Sequence, residues 1–150
     1  MSQTLVRLRV HVVFSTKDRQ PMITAEIEPE LYAYLGGVMK TLESHCLAAG
    51  GTNNHVHLLV SQSKKMALCD LMEEIKKSSS KWIKTKGPNL RTFGWQDGYG
   101  AFTIGQSQVE ALQQYIAHQK ERHRRQTFEE ELVMLLKRYQ VPYDERYIWS

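Results

Sequence analysis

The stretch "CLAAGGTNNHVHLLV", Cys46–Val60, decides the fold. Two apolar runs flank Thr52–Asn54, where asparagine tolerates the left-handed backbone of a tight turn, so the segment reads as two strands and a turn. The second strand carries His55 and His57 where a plain hydrophobic strand would carry aliphatics. Residues i and i+2 of a strand share a face, so both imidazoles project together while Val56 and Leu58 turn into a core. Paired imidazoles make a poor core and a good beginning for a metal site.

Working outward, "LVRLRVHVVFS", Leu5–Ser15, alternates as a half-buried strand, and from Thr24 the period turns helical through Ile27, Leu31, Leu35, Val38 and Leu42. Met66 to about Lys84 reads as a second helix stopped by Gly87-Pro88, and a short strand follows near Ala101–Ile104. Gln108 to about Arg124 is predicted as a third helix, with Ser107 available as its cap. Thr127 caps a last helix bearing Phe128, Leu132, Leu135 and Leu136. The order β-α-β-β-α-β plus C-terminal helices predicts an α+β, ferredoxin-like antiparallel sheet. Helices would cover one face, the histidine strand would be central, and residues 1–150 would form one domain. That fold hosts binding modules and enzymes alike, so function must come from the site.

Composition narrows the classes. The 150 residues, 41% hydrophobic and 24% charged, suit one globular domain with a real core. No apolar run reaches the roughly 20 residues of a membrane span, and the arginines in the N-terminal apolar segment argue for a strand rather than a signal peptide. Two cysteines without CxxC spacing predict a reducing, cytoplasmic setting. The formal net charge is +4, and the bases are segregated. "KKSSSKWIKTKGPNLR", Lys76–Arg91, and "KERHRR", Lys120–Arg125, carry half of them, while acids gather at Glu129–Glu131. Such segregation suits a polyanion, though each run alone also fits a solvated helix face.

The third helix supplies what the histidine strand lacks. Tyr115 and Gln119 stand four apart on one face. Two histidine nitrogens and a glutamine carbonyl suit Mg²⁺ or Mn²⁺ with positions left open for phosphate oxygens. A tyrosine one turn from the glutamine would put its hydroxyl beside such a phosphate.

"NNHVHLLV" and "YIAHQ" together resemble the single-tyrosine HUH transposases of bacterial insertion sequences, including the REP-associated tyrosine transposases; His55, Val56 and His57 fill the histidine–hydrophobic–histidine motif. "HVVFSTKDRQPMI", "WQDGYGAFTIG" and "YDERYIW" also look like segments of that family. The resemblance implies an HUH endonuclease that cuts single-stranded DNA beside hairpins at element ends. Tyr115 would be the nucleophile, forming a 5′-phosphotyrosine link and a free 3′-hydroxyl that a second strand resolves without a nucleotide cofactor. His55, His57 and Gln119 would hold the divalent ion. It further implies a homodimer in which the tyrosine helix can complete the partner's site, no membrane association, and a bacterial cytoplasmic location on the nucleoid when bound to DNA. Two alternatives remain open at this point: a DNA-hairpin-binding protein with lost catalysis, and a metal phosphoesterase that uses water.

His118 stands where relatives often have asparagine and is a candidate modulator of Tyr115. Candidate DNA contacts are Arg7, Arg9, Lys76, Lys77, Lys81, Trp82, Lys84 and Arg122. Trp95 and Tyr99 read either as loop anchors or as a base-stacking wall. His11, His45 and His123 have no place in the motif and read as surface or edge histidines.

Overall fold

A computed structural model describes all residues, 1–150, and contains the expected hairpin: β2 (His45–Gly51) pairs antiparallel with β3 (His55–Ser61). On its other side β3 pairs antiparallel with β1 (Arg9–Ser15), which pairs antiparallel with β4 (Gly100–Thr103). The order β2-β3-β1-β4 is the ferredoxin-like one and makes the histidine strand central.

Strand alternation then builds two different layers. Val12, Phe14, Val56, Leu58 and Val60 face α1 (Glu28–Thr41) and α2 (Leu68–Lys84), which contribute Leu31, Leu35, Met39, Leu71, Met72 and Ile75 to the main core. The opposite residues, Val13, Leu59 and Phe102, face α3 (Val109–Ala117) and α5 (Phe128–Arg138) in two smaller clusters. Helices therefore cover both faces, the C-terminal ones closing the face that carries the histidines. No helix is long and apolar enough to cross a membrane.

Thr127 acts as anticipated, forming a capping box with Glu130 at the head of α5. Thr24 does not cap α1: its Oγ1 accepts from the Ile27 N–H in the turn ahead of the helix, and Ile27 itself occupies the N-cap position. Other expectations shift. Leu5–Leu8 are exposed and outside β1, because the ladder ends where Arg9 meets Ser61 and Val10 meets Thr103; past that register no strand lies alongside. The long third helix is instead α3 followed by the short α4 (Gln119–Arg122), broken at His118, whose φ of −105° and ψ of 24° leave the helical well. Ser107 provides no side-chain cap; Gln108 Oε1 accepts from the Gly105 N–H instead.

Candidate functional site

The helix that carries Tyr115 can reach the histidine strand because of one glycine. A Cβ on Gly50 would lie 2.3 Å from the carbonyl oxygen of Ile116, so the bare backbone of β2 lets the end of α3 settle directly on the sheet. Ile116 is buried there, which fixes Tyr115 before it and Gln119 after it.

Each histidine is oriented from behind. His55 Nδ1 lies 2.9 Å from Asn54 Oδ1 and 3.0 Å from Thr52 Oγ1, so its proton sits on Nδ1 and Nε2 presents a lone pair inward. That lone pair meets Gln119 Oε1 at 3.0 Å and Glu131 Oε1 at 3.5 Å. Three acceptors converge with no proton from His55 between them, which is the environment a cation satisfies. His57 Nδ1 pairs with His11 Nε2 at 2.8 Å, leaving its Nε2 2.9 Å from Glu131 Oε1. Burial, with the neighbouring histidines adding to it against Glu131, lowers His57 to about 4 and keeps it neutral, the form a metal ligand requires. Burial and the same neighbourhood lower His11 to about 3.

Glu131 is the centre of the arrangement. Its Oε1 also accepts from His123 Nε2 at 3.0 Å, and its Oε2 accepts from Gln119 Nε2 at 2.9 Å and from the Tyr115 hydroxyl. Burial alone would raise its carboxyl; hydrogen bonds from His123 and His57 outweigh that and hold it well below the usual carboxylate range. Ligand atoms from His55, His57 and Glu131 all lie within 4.8 Å of one another, a spacing that fits one ion, and Gln119 Oε1 adjoins them. The donor set, imidazole nitrogen with carboxylate and amide oxygen, suits a divalent cation.

The phenol of Tyr115 is raised by burial, and further by its hydrogen bond to Glu131, while the Arg122 guanidinium 4.5 Å from the ring centre acts the other way. Beside the half-buried Tyr115 opens a cleft of about 580 Å³ that includes His118, Arg122, Arg124 and Arg125. His118 does not bond Tyr115; its Nδ1 lies 2.7 Å from the Gln114 carbonyl.

Sequence reasoning missed Glu131, His11 and His123. His11 is fully buried between His57 and Phe102, and its Nδ1 has no partner; His123 borders the ligand cluster. Only His45 is exposed as expected. The candidate DNA contacts divide. Arg122 belongs to the Tyr115 cleft, whereas Lys77, Lys81, Lys84 and the half-buried Trp82 lie on α2, across the sheet. Trp82 stacks on Tyr34 at 5.0 Å. Lys76 turns inward, its ammonium donating to the carbonyls of Gln96 (2.7 Å) and Gly98. Arg7 is exposed, and Arg9 donates to Gln106 Oε1 at 3.4 Å. Trp95 is a loop anchor, buried with its indole N–H donating to Ser79 Oγ, while Tyr99 is exposed.

Comparison with known proteins finds relatives by sequence and by fold. A family model described as "Transposase IS200 like" matches residues 4–119, ending on Gln119. Among solved structures, a transposase candidate from Deinococcus radiodurans R1 superposes with a TM-score of 0.62 at 21% identity, covering 79% of this chain and 98% of its own. A REP-associated tyrosine transposase bound to a REP hairpin superposes with a TM-score of 0.61 at 15% identity, covering 82% and 74% respectively. At those identities the two structures establish a shared fold. The comparison with curated proteins finds no match.

Proposed function

The chain belongs to the IS200-like transposase family, and from that premise we propose that it cuts and rejoins single-stranded DNA through a covalent link to Tyr115. The observation that carries the reading is a shared carboxylate: Glu131 binds the Tyr115 hydroxyl with one oxygen and His57 with the other. That contact supports a reading in which nucleophile and ligand set belong to one site.

In this reading His55, His57 and Gln119, joined by Glu131, hold a divalent Mg²⁺ or Mn²⁺ ion. When bound, the ion supplies Lewis-acid polarisation of a phosphoryl oxygen and a template for in-line attack. Tyr115 Oη forms the bond to phosphorus as the bond to the 3′-oxygen breaks, leaving a 5′-phosphotyrosine and a 3′-hydroxyl after proton transfer. Attack by a second strand's 3′-hydroxyl reverses the step and frees the phenol. Glu131, too weak a base in this setting to ionise the phenol unaided, keeps it aimed at the ligand cluster. Arg122, Arg124 and Arg125 lie where the strand's phosphates would approach Tyr115. The DNA would be a single strand with a hairpin nearby, the partner that the REP-bound structure contains in its own case.

A denaturing gel tests this. Protein and its Tyr115→Phe variant are mixed with Mn²⁺ and single strands tiling both flanks of the gene. A protein–DNA adduct that needs both Tyr115 and the metal is expected. Cleavage without adduct that survives in Tyr115→Phe would mean hydrolysis by water, and hairpin binding without cleavage would mean a binding protein.

A further inference from the structure

Three separated stretches converge on a cavity that the strand-transfer chemistry does not use. The end of β1 and the turn after it, the Gln96–Gly100 loop, and the tail around Tyr143–Ser150 enclose about 360 Å³ against α5. Its floor includes Val13, Phe128 and Leu136, and its walls include Tyr99, Tyr143 and Trp149. The volume lies at the low end of the roughly 300–1,000 Å³ typical of small-ligand pockets, and an aromatic-walled space of that size has room for a single base.

Its position links it to the site. Phe128 lines the cavity and stacks on His55 with ring centres 4.5 Å apart at 25°; Ser15, also lining it, is the register partner of His55. Whatever occupies the cavity is therefore one side chain away from a metal ligand.

The mouth is built with unusual backbone. Asp18 and Arg19 are consecutive non-glycine residues in the left-handed region, at φ of 54° and 56°. Surrounding bonds hold them there: the Asp18 N–H donates to Gln96 Oε1 at 2.9 Å, and Asn54 Nδ2 to the Arg19 carbonyl at 3.5 Å. The result sets the Arg19 guanidinium 5.1 Å from the Trp149 ring centre and 3.3 Å from Glu129. A cation at the rim of an aromatic slot is the arrangement that takes a base on its face and a phosphate at its edge. The loop opposite is held by Lys76, which donates to the carbonyls of Gln96 and Gly98, and the tail by Gln96, whose amide donates to the Ser150 carbonyl at 2.6 Å.

We propose that this cavity receives one unpaired nucleobase of the strand, from a nucleotide next to the scissile phosphodiester, with Arg19 against that nucleotide's phosphate. The inference rests on the strand-transfer reading and adds to it a base subsite outside the ligand and nucleophile set.

Binding without chemistry tests it. A single strand that the wild-type protein converts to adduct is labelled and titrated, by anisotropy, with metal-free Tyr115→Phe protein. A parallel series carries one abasic residue at each nucleotide around the cut. One abasic position beside the cut is expected to weaken binding about tenfold, the scale of a lost base–aromatic stack. Added to that background, Trp149→Ala weakens the intact strand similarly and removes the abasic penalty. Tyr99→Ala, at an exposed position whose loss does not touch the core, repeats the coupling if Trp149→Ala folds poorly. Equal abasic penalties with and without these aromatic side chains, while wild-type protein still forms its adduct, would overturn the subsite alone. No adduct on any strand would remove the strand-transfer reading and the subsite together.

Discussion

One strand serves two unlike layers. Toward α1 and α2, β3 sends Val56, Leu58 and Val60, fully buried among aliphatic and aromatic side chains. Toward α3 and α5 it sends His55 and His57, equally buried, into a layer of Gln119, Glu131 and Tyr115 tied by hydrogen bonds. Burial is the same on both sides and the reason for it differs. The first layer is held by removal of apolar surface from water, the second by polar groups satisfying one another in a dry space where an unpaired one is costly. The alternation of a single strand keeps the two apart, so stability and chemistry can be altered separately.

Leu58→Ala breaks the comparison most forcefully. It should cost about 2–5 kcal/mol of unfolding free energy, as a large-to-small change in a packed core does, and leave Mn²⁺ affinity of the folded protein unchanged. His57→Ala should do the reverse: a smaller stability loss, and loss of Mn²⁺ binding beyond the roughly 10–100-fold that losing a mere supporting residue causes. Chemical denaturation and Mn²⁺ titration followed by electron paramagnetic resonance read the two effects independently. A Leu58→Ala protein that folds and no longer binds the metal would show that the layers are not separable.

Gly50→Ala sharpens the comparison at the seam. The added methyl meets the Ile116 carbonyl, which is backbone, so α3 must lift from the sheet. Adduct formation should fall by about 100-fold, since displacement of a nucleophile by around 1 Å has that scale. Mn²⁺ affinity should drop less, because His55 and His57 stay where β3 puts them. Equal losses in both would mean that α3 positions the ligands as much as the nucleophile.

The polar layer also has a pH signature that the aliphatic layer lacks. His11 and His57 are lowered to about 3 and about 4, first by burial, against an ordinary value of 6.5. The unfolded chain therefore binds more protons than the folded one as pH falls below 6.5, and stability is lost from there downward toward 4. The melting temperature of metal-free protein should decline steadily between pH 7 and 5, and His11→Phe should flatten the slope by removing one of the two groups. An unchanged slope in that variant would assign the pH dependence to other residues.

These contrasts explain what was legible beforehand. The hairpin, the helical periods and the central place of the histidine strand all follow from alternation and turn chemistry, which are local. So does the pairing of Tyr115 with Gln119, whose four-residue spacing survives the break at His118. Glu131 was hidden among three consecutive acids, yet it falls three residues after Phe128 and four before Leu135, on the stripe that α5 buries. A carboxylate on an apolar stripe is a readable signal, and it was outweighed by the solvated look of Glu129 and Glu130. His11 gives a fainter one: it shares a strand face with Val13, but only the register against His57, diagonal to it across β1 and β3, shows that it backs that histidine. The helix break at His118 and the tail closing over α5 depend on tertiary packing that no local pattern contains.

The smallest expected effect tests whether the division between faces extends to DNA. The Lys76–Arg91 run is the more basic stretch in the sequence, but Lys81 and Lys84 lie on α2, with a four-stranded sheet between them and Tyr115. Arg124 and Arg125 share a cleft with the tyrosine. At about 0.1 M salt, charges more than roughly 10 Å apart are largely screened, so only the near pair should act directly on the strand. Paired reversal of Lys81 and Lys84 to glutamate should shift single-strand affinity by about twofold or less and leave its salt dependence unchanged. Reversal of Arg124 and Arg125 should reduce the slope of log K against log[salt] by about 0.7 for each phosphate that is no longer neutralised. If the α2 pair lowers that slope instead, the strand crosses to the far face, and the aliphatic layer would be a platform for DNA as well as the core of the fold.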